Sequence, residues 1–116
     1  MNITMLGIPN CDTVKKSRKF LENHHIAFQF RDLRKQPLSA AEWTDLVDQD
    51  QSGTLLNLRS PTFRKTGVAK EELNRARLVL LLCEHPTAAK RPVLLRQGRL
   101  YSVGYDETAF AALTHG

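Results

Sequence analysis

The order of patterned segments predicts an α/β domain, a short sheet with a helical insertion in the middle of the chain. Three observations carry this. The apolar run Ile3 to Leu6 is ended by Gly7 and Pro9 and leads into a breaker-free stretch from about Cys11 to Asn23. The alternating run Ala27 to Leu33 then completes a strand, helix, strand unit, whose crossover implies parallel strands with a right-handed connection. Towards the other end, Pro92 to Leu95 and Arg99 to Ser102 flank Gln97-Gly98 and read as a hairpin.

Each element has its own signal. From Cys11 to Asn23, Val14, Ser17 and Leu21 share one helical face while Lys and Arg lie opposite, with Asp12 as the expected cap. After a turn at Pro37-Leu38, Ser39 with Glu42 three residues on matches a capping box before Trp43, Leu46 and Val47, a helix ending near Asp50. Gln51 to Gly53 breaks the pattern, and Leu55, Leu56 and Leu58 lead into Arg59, Ser60 and Pro61 as a short helical or irregular segment. Lys70 to Glu84 holds no breaker and reads as one helix, stopped by His85-Pro86. Asp106 caps a last short helix through Phe110 and Leu113. Residues 1–116 read as one domain with the insertion over about 38–84.

Composition bounds the function. A chain of 116 residues, 41% hydrophobic and 25% charged, buries roughly two thirds of its unfolded surface and needs no disulfide or structural metal to hold a core. Its longest apolar run, Leu78 to Cys83, falls far short of the ~20 residues of a membrane span. The first residues lack the basic-then-apolar layout of a signal peptide, so the expected location is the cytoplasm. Seventeen Lys and Arg against twelve Asp and Glu give +5. That excess fits a small anionic substrate, nucleic acid, or a merely solvated basic surface, and only Lys15, Lys16, Arg18 and Lys19 cluster.

Two cysteines, Cys11 and Cys83, are too few for a secreted disulfide scaffold; each is a small buried hydrophobe or a reactive thiol. Cys11, just after a strand and loop at the first turn of a helix, lies where unpaired N–H groups and the helix dipole stabilise a thiolate, with Lys15 one turn on adding attraction. Cys83, inside its apolar run, reads as a buried inert thiol. Val14 occupies the position of a second cysteine in a C-x-x-C pair, so a single-thiol mechanism is expected. The adduct on Cys11 must then be released by glutathione, another protein thiol, or Cys83. Arg91 before Pro92 is the second informative feature. The bond between them is a candidate cis peptide, the proline leaves backbone open at a strand start, and the guanidinium can grip an oxyanion, unless this is only a surface arginine beside an edge proline. Cys83 with His85 is a two-ligand fragment, short of what zinc requires, and no metal is expected.

Gly7-Ile8-Pro9-Asn10-Cys11-Asp12-Thr13, Leu58-Arg59-Ser60, His85-Pro86, Lys90-Arg91-Pro92-Val93-Leu94 and Val103-Gly104-Tyr105 resemble the arsenate reductase (ArsC-like) family of the thioredoxin fold across nearly the whole chain. The resemblance is closest to its small YffB-like branch, with Spx regulators as a related branch. It implies a thioredoxin-like fold, a four-stranded mixed sheet with an inserted helical subdomain. It also implies Cys11 as nucleophile and Arg59 and Arg91 as two oxyanion-binding arginines. The third family arginine falls near Tyr101 to Gly104, where this chain has Ser102, Val103 and Gly104.

The reading that follows is a cytoplasmic thiol/disulfide reductase. Cys11 attacks a disulfide or oxidised small substrate, Arg59 and Arg91 orient an anionic group, and Asn10 and Thr13 hydrogen-bond near the thiolate. Pro92 marks where a glutathione or peptide backbone docks, and glutathione serves as co-substrate with no bound cofactor. The alternatives are a glutaredoxin-coupled arsenate reductase and, in a different class, an Spx-like redox-sensing regulator that binds RNA polymerase. Neither a membrane nor nucleic acid is the expected partner.

Overall fold

The first strand, β1 (Ile3–Gly7), is almost wholly buried, as a strand with apolar residues on both faces must be. It pairs in parallel with β2 (Gln29–Asp32) and antiparallel with β3 (Val93–Arg96), which pairs antiparallel with β4 (Arg99–Val103). The resulting order is β2-β1-β3-β4. This is the mixed four-stranded sheet of the thioredoxin-like fold. The computed structural model describes residues 2–114, and they group into two compact units, residues 2–32 with 91–114, and Leu33–Lys90.

The first unit carries the whole sheet. One of its faces is covered by α1 (Asp12–Asn23) and α5 (Glu107–Leu113), where Ile3, Met5, Val14, Leu21, Leu94 and Phe110 form a buried cluster. Full burial of an aromatic or branched aliphatic side chain contributes about 1.5–3 kcal/mol, so this cluster dominates the unit's stability. Ser17, the one polar residue on the buried face of α1, is satisfied by donating to the Thr13 carbonyl at 2.8 Å. Gln97 and Gly98, both at positive φ, make the tight turn of the β3–β4 hairpin. A bulge shifts the register after Leu94: Leu94 pairs with Ser102 but Leu95 with Leu100, leaving Tyr101 as the extra residue. The Tyr101 hydroxyl donates to the Ala109 carbonyl at 2.6 Å and so ties β4 to α5.

The second unit is helical. The predicted capping box is complete at α2 (Ala40–Gln49): Ser39 Oγ accepts from Glu42 N at 3.1 Å, and Ser39 N donates to Glu42 Oε1 at 2.9 Å. The irregular segment after Gly53 resolves into an isolated bridge between Leu56 and Ala89 and a short α3 (Pro61–Lys65) capped by Ser60. The continuous helix expected from Lys70 is corrected. Lys70–Glu72 is a single 3₁₀ turn, Leu73 is extended, and α4 (Arg75–Glu84) starts afresh. The reason is local. The Asn74 side chain accepts from Arg77 N at 2.9 Å and so serves as an N-cap rather than a mid-helix residue. Arg75 grips Asp48 of α2 through both carboxylate oxygens at 2.7 and 2.8 Å. That hydrogen bond holds the Asp48 carboxyl below the usual carboxylate range. Its contribution is therefore present above that range and lost as pH falls, and it is small because both side chains are exposed.

Cys83 is also corrected. It is half-buried rather than buried, because a six-residue apolar run wraps around a helix and cannot all face inward. Leu81 and Leu82 take the buried positions and Leu80 is 58% exposed.

At Gly7 the side chain of Val14 from α1 lies against the bare backbone of β1. A Cβ there would stand 2.9 Å from Val14 Cγ2 and 3.3 Å from Cγ1, closer than packed carbon atoms allow. Gly7→Ala is therefore expected to lower stability by about 1–3 kcal/mol, the scale of core overpacking. Val14→Ala in that background should recover part of the loss, as read from urea unfolding midpoints.

Candidate active site at the start of α1

The register of β1 against β3, Leu6 opposite Val93, brings the loop after β1 and the residues before β3 to one end of the sheet. Cys11 arrives from the first and Arg91-Pro92 from the second. Both belong to the same unit.

Cys11 is the N-cap of α1, in extended conformation, and its carbonyl accepts the first helical bond from Lys15 N at 2.9 Å. Its side chain makes no capping hydrogen bond, so the helix start has a half-exposed free thiol and first-turn amides that this side chain does not satisfy. The expectation that Asp12 caps this helix is corrected. Asp12 is the first helical residue and exposed, and the cap position belongs to Cys11. Asn10, Thr13 and Lys15 are exposed around the same helix start.

Arg91-Pro92 is a cis peptide. Pro92 is buried, and its carbonyl accepts from Gly104 N at 2.8 Å. Gly104 sits at φ +77°, a left-handed conformation that suits glycine. The picture of an edge proline is corrected, because β3 is an interior strand paired on both sides. What is open lies one residue earlier. Among the described residues, no hydrogen bond engages the Arg91 backbone N–H or C=O. The Arg91 side chain is partly exposed.

Arg59 belongs to the second unit. It is exposed, directly before the α3 cap Ser60, and its backbone N–H donates to Asn57 Oδ1 at 3.1 Å. Ser102, in the segment where the third family arginine falls, is only 8% exposed, and its hydroxyl has no hydrogen-bond partner. Its pairing with Leu94 puts it on the helix-covered face of the sheet. Among the described residues, no three His, Cys, Asp or Glu side chains gather as a metal site, and no helix is long and apolar enough to cross a membrane.

Sequence reasoning missed two cation–ring pairs flanking α1. Lys16 Nζ lies 4.3 Å from the Tyr105 ring centre and Arg18 Cζ 4.4 Å from that of Phe30. The partners are distant in sequence. Only Val103-Gly104-Tyr105, quoted above for its resemblance, pointed near one of them.

Residues 6–113 match the ArsC family, and the chain belongs to that family. It is 34% identical to the global transcriptional regulator Spx of Bacillus subtilis over 107 residues, 90% of this chain and 81% of the regulator. Among solved structures, a YffB protein superimposes with a TM-score of 0.84 at 32% identity, covering 95% of this chain and 96% of that one. An arsenate reductase (ArsC) related protein from Brucella melitensis superimposes with a TM-score of 0.77 at 36% identity, covering 97% and 93%.

The orphan hydroxyl of Ser102 generates a stability prediction. Removing an unpaired buried hydroxyl is neutral or favourable, so Ser102→Ala should leave the urea midpoint unchanged or raise it. A loss of more than about 1 kcal/mol would show that the hydroxyl is bonded in solution.

Proposed function

We propose that the chain is a thiol/disulfide reductase that works through the single nucleophile Cys11, with glutathione as co-substrate, in the cytoplasm. The Cys11 thiolate attacks one sulfur of a disulfide substrate, a new S–S bond forms, and the other sulfur leaves as a thiolate. A glutathione thiolate attacks the Cys11 sulfur of that mixed disulfide, the second substrate sulfur leaves as a thiolate and a Cys11–glutathione disulfide forms. A second external thiolate then attacks the glutathione sulfur, takes it up as a disulfide and frees the Cys11 thiolate, so two external thiols supply the two electrons. The observation that carries this reading is the half-exposed Cys11 thiol at the N-cap of α1, making no cap bond of its own.

The remaining residues take supporting roles. The open Arg91 backbone beside Pro92 receives the extended backbone of the incoming thiol or peptide, and the Arg91 guanidinium holds a carboxylate. Arg59 supplies a second cation, by its match to the family motif. Asn10, Thr13 and Lys15 surround the sulfur with donors and positive charge. Reduction of arsenate ranks second, because Ser102 stands buried in the segment of the third arginine. The Spx relative favours a further reading, a redox-sensing regulator that engages RNA polymerase. Val14 in place of a second cysteine counts against a local disulfide switch, and a pull-down against polymerase tests it.

Intact-protein mass spectrometry after exposure to oxidised glutathione is the direct test. One glutathione should add at Cys11, and added thiol should release it. Cys11→Ser should abolish the adduct and the reductase activity while changing stability by no more than about 1 kcal/mol. Retained activity, or a high-yield internal link to Cys83, overturns the single-thiol mechanism. Arg91→Ala and Arg59→Ala should each weaken turnover of an anionic substrate by about 1.5–3 kcal/mol, the scale of a lost charged hydrogen bond. Arg91→Lys should not restore it fully, since a point charge lacks the planar fork.

A further inference from the structure

Helix α1 carries four cations, Lys15, Lys16, Arg18 and Lys19, and two of them stand where the helix dipole does not favour them. Lys15 and Lys16 lie in its N-terminal half, and its last turn has no basic residue, the reverse of what the helix dipole prefers. Lys15 and Lys19 are a like-charge pair at i, i+4, which destabilises a helix. Among the described residues, no carboxylate pairs with Lys15, Lys16, Arg18 or Lys19. Two of the four are held in place nonetheless, Lys16 over Tyr105 and Arg18 over Phe30. The three lysines are exposed, and helical side chains lean towards the N-terminus, here the end that carries Cys11. Asp12 and Glu22 stand at i, i+4 from Lys16 and Arg18 but close no ion pair with them, so the row keeps its charge for a partner outside the helix.

We infer that this cationic face of α1 is the docking surface for an acidic patch on the protein thiol that releases the Cys11 mixed disulfide. This rests on the thiol chemistry proposed for Cys11 and deepens it by naming the partner's chemistry. At ~1.5 Å per residue, Lys19 lies about 12 Å along the axis from Cys11, beyond the carboxylates of a bound tripeptide, so the row as a whole fits a protein surface. Nucleic acid fits less well. The Tyr105 and Phe30 rings that would stack on bases are already occupied by Lys16 and Arg18. In the step itself, the partner thiolate attacks the glutathione sulfur of the mixed disulfide. The Cys11–glutathione bond breaks, a partner–glutathione disulfide forms, and Cys11 leaves as a thiolate.

The test uses the full chain glutathionylated at Cys11 and two single-cysteine helical peptides of equal length, one with a row of glutamates beside the cysteine and one with lysines. At low salt the acidic peptide should release glutathione at least about tenfold faster, within the range of electrostatic steering, and the advantage should shrink as salt is added. The double variant Lys16→Gln/Lys19→Gln should erase the preference while release by free glutathione changes less than twofold. Equal rates for the two peptides, or an unchanged preference in the double variant, overturn the inference. Equal slowing of free glutathione also overturns it, since the row would then serve the small thiol. Tighter binding of a single-stranded oligonucleotide than of the acidic peptide overturns it in favour of nucleic acid. If no mixed disulfide forms at all, the reductase reading fails separately. A cysteine-free acidic peptide titrated against Cys11→Ser protein still tests the surface, with salt-sensitive binding that is lost in the double variant expected, and its absence overturning the docking face.

Discussion

The contact between Val14 and the bare backbone of Gly7 fixes where Cys11 can stand. With Val14 Cγ2 lying 2.9 Å from where a side chain at position 7 would begin, the first turn of α1 rests directly on the end of β1. A longer residue at either position would lift the helix start and carry the cysteine with it. Because β1 pairs with β3 in the register Leu6 opposite Val93, seating the helix there also sets Cys11 at the sheet end where Arg91-Pro92 arrives. One steric fit thus supports both halves of the candidate site in the sheet unit.

Val14 has a second consequence. Counting from the N-cap Cys11 it is the third helical residue, the place of the resolving cysteine in a C-x-x-C pair, and it is fully buried. The side chain that locks the helix against the sheet is therefore also the one that denies Cys11 a local partner. Under the proposed chemistry this commits the protein to an external thiol. A cysteine at position 14 would have to give up the packing of both Val14 methyl groups to become reactive.

Elements decided by a few adjacent residues were legible in the sequence. The Ser39/Glu42 box, the Gln97-Gly98 turn and the parallel pairing implied by a single crossover each depend on local chemistry and appear as expected. The break at Leu73-Asn74 was not legible, because asparagine is tolerated within a helix and acts as a cap only when its side chain turns to Arg77 N. The half-exposure of Cys83 was hidden because an apolar run shows composition without showing which helical face meets the core. At the site, Cys11 could be placed from the strand, loop and helix pattern alone. The open Arg91 backbone and the rings under Lys16 and Arg18 arise from pairings between distant segments, which no local pattern encodes.

Ser102 sharpens the choice between substrates. Its register with Leu94 points it into the helix-covered face of the sheet, where a guanidinium would have to be buried at high cost without a partner. Its strand position therefore cannot return the missing cation to the site by a simple substitution. Reduction of a multiply charged oxyanion gathers negative charge around the sulfur and needs matching cations close by. Thiol–disulfide exchange instead passes a single negative charge through: one thiolate enters and one leaves. The proposed disulfide chemistry therefore asks less of the surrounding cations than arsenate does. An N-cap thiol with a buried serine in the segment of the third family arginine matches the smaller demand.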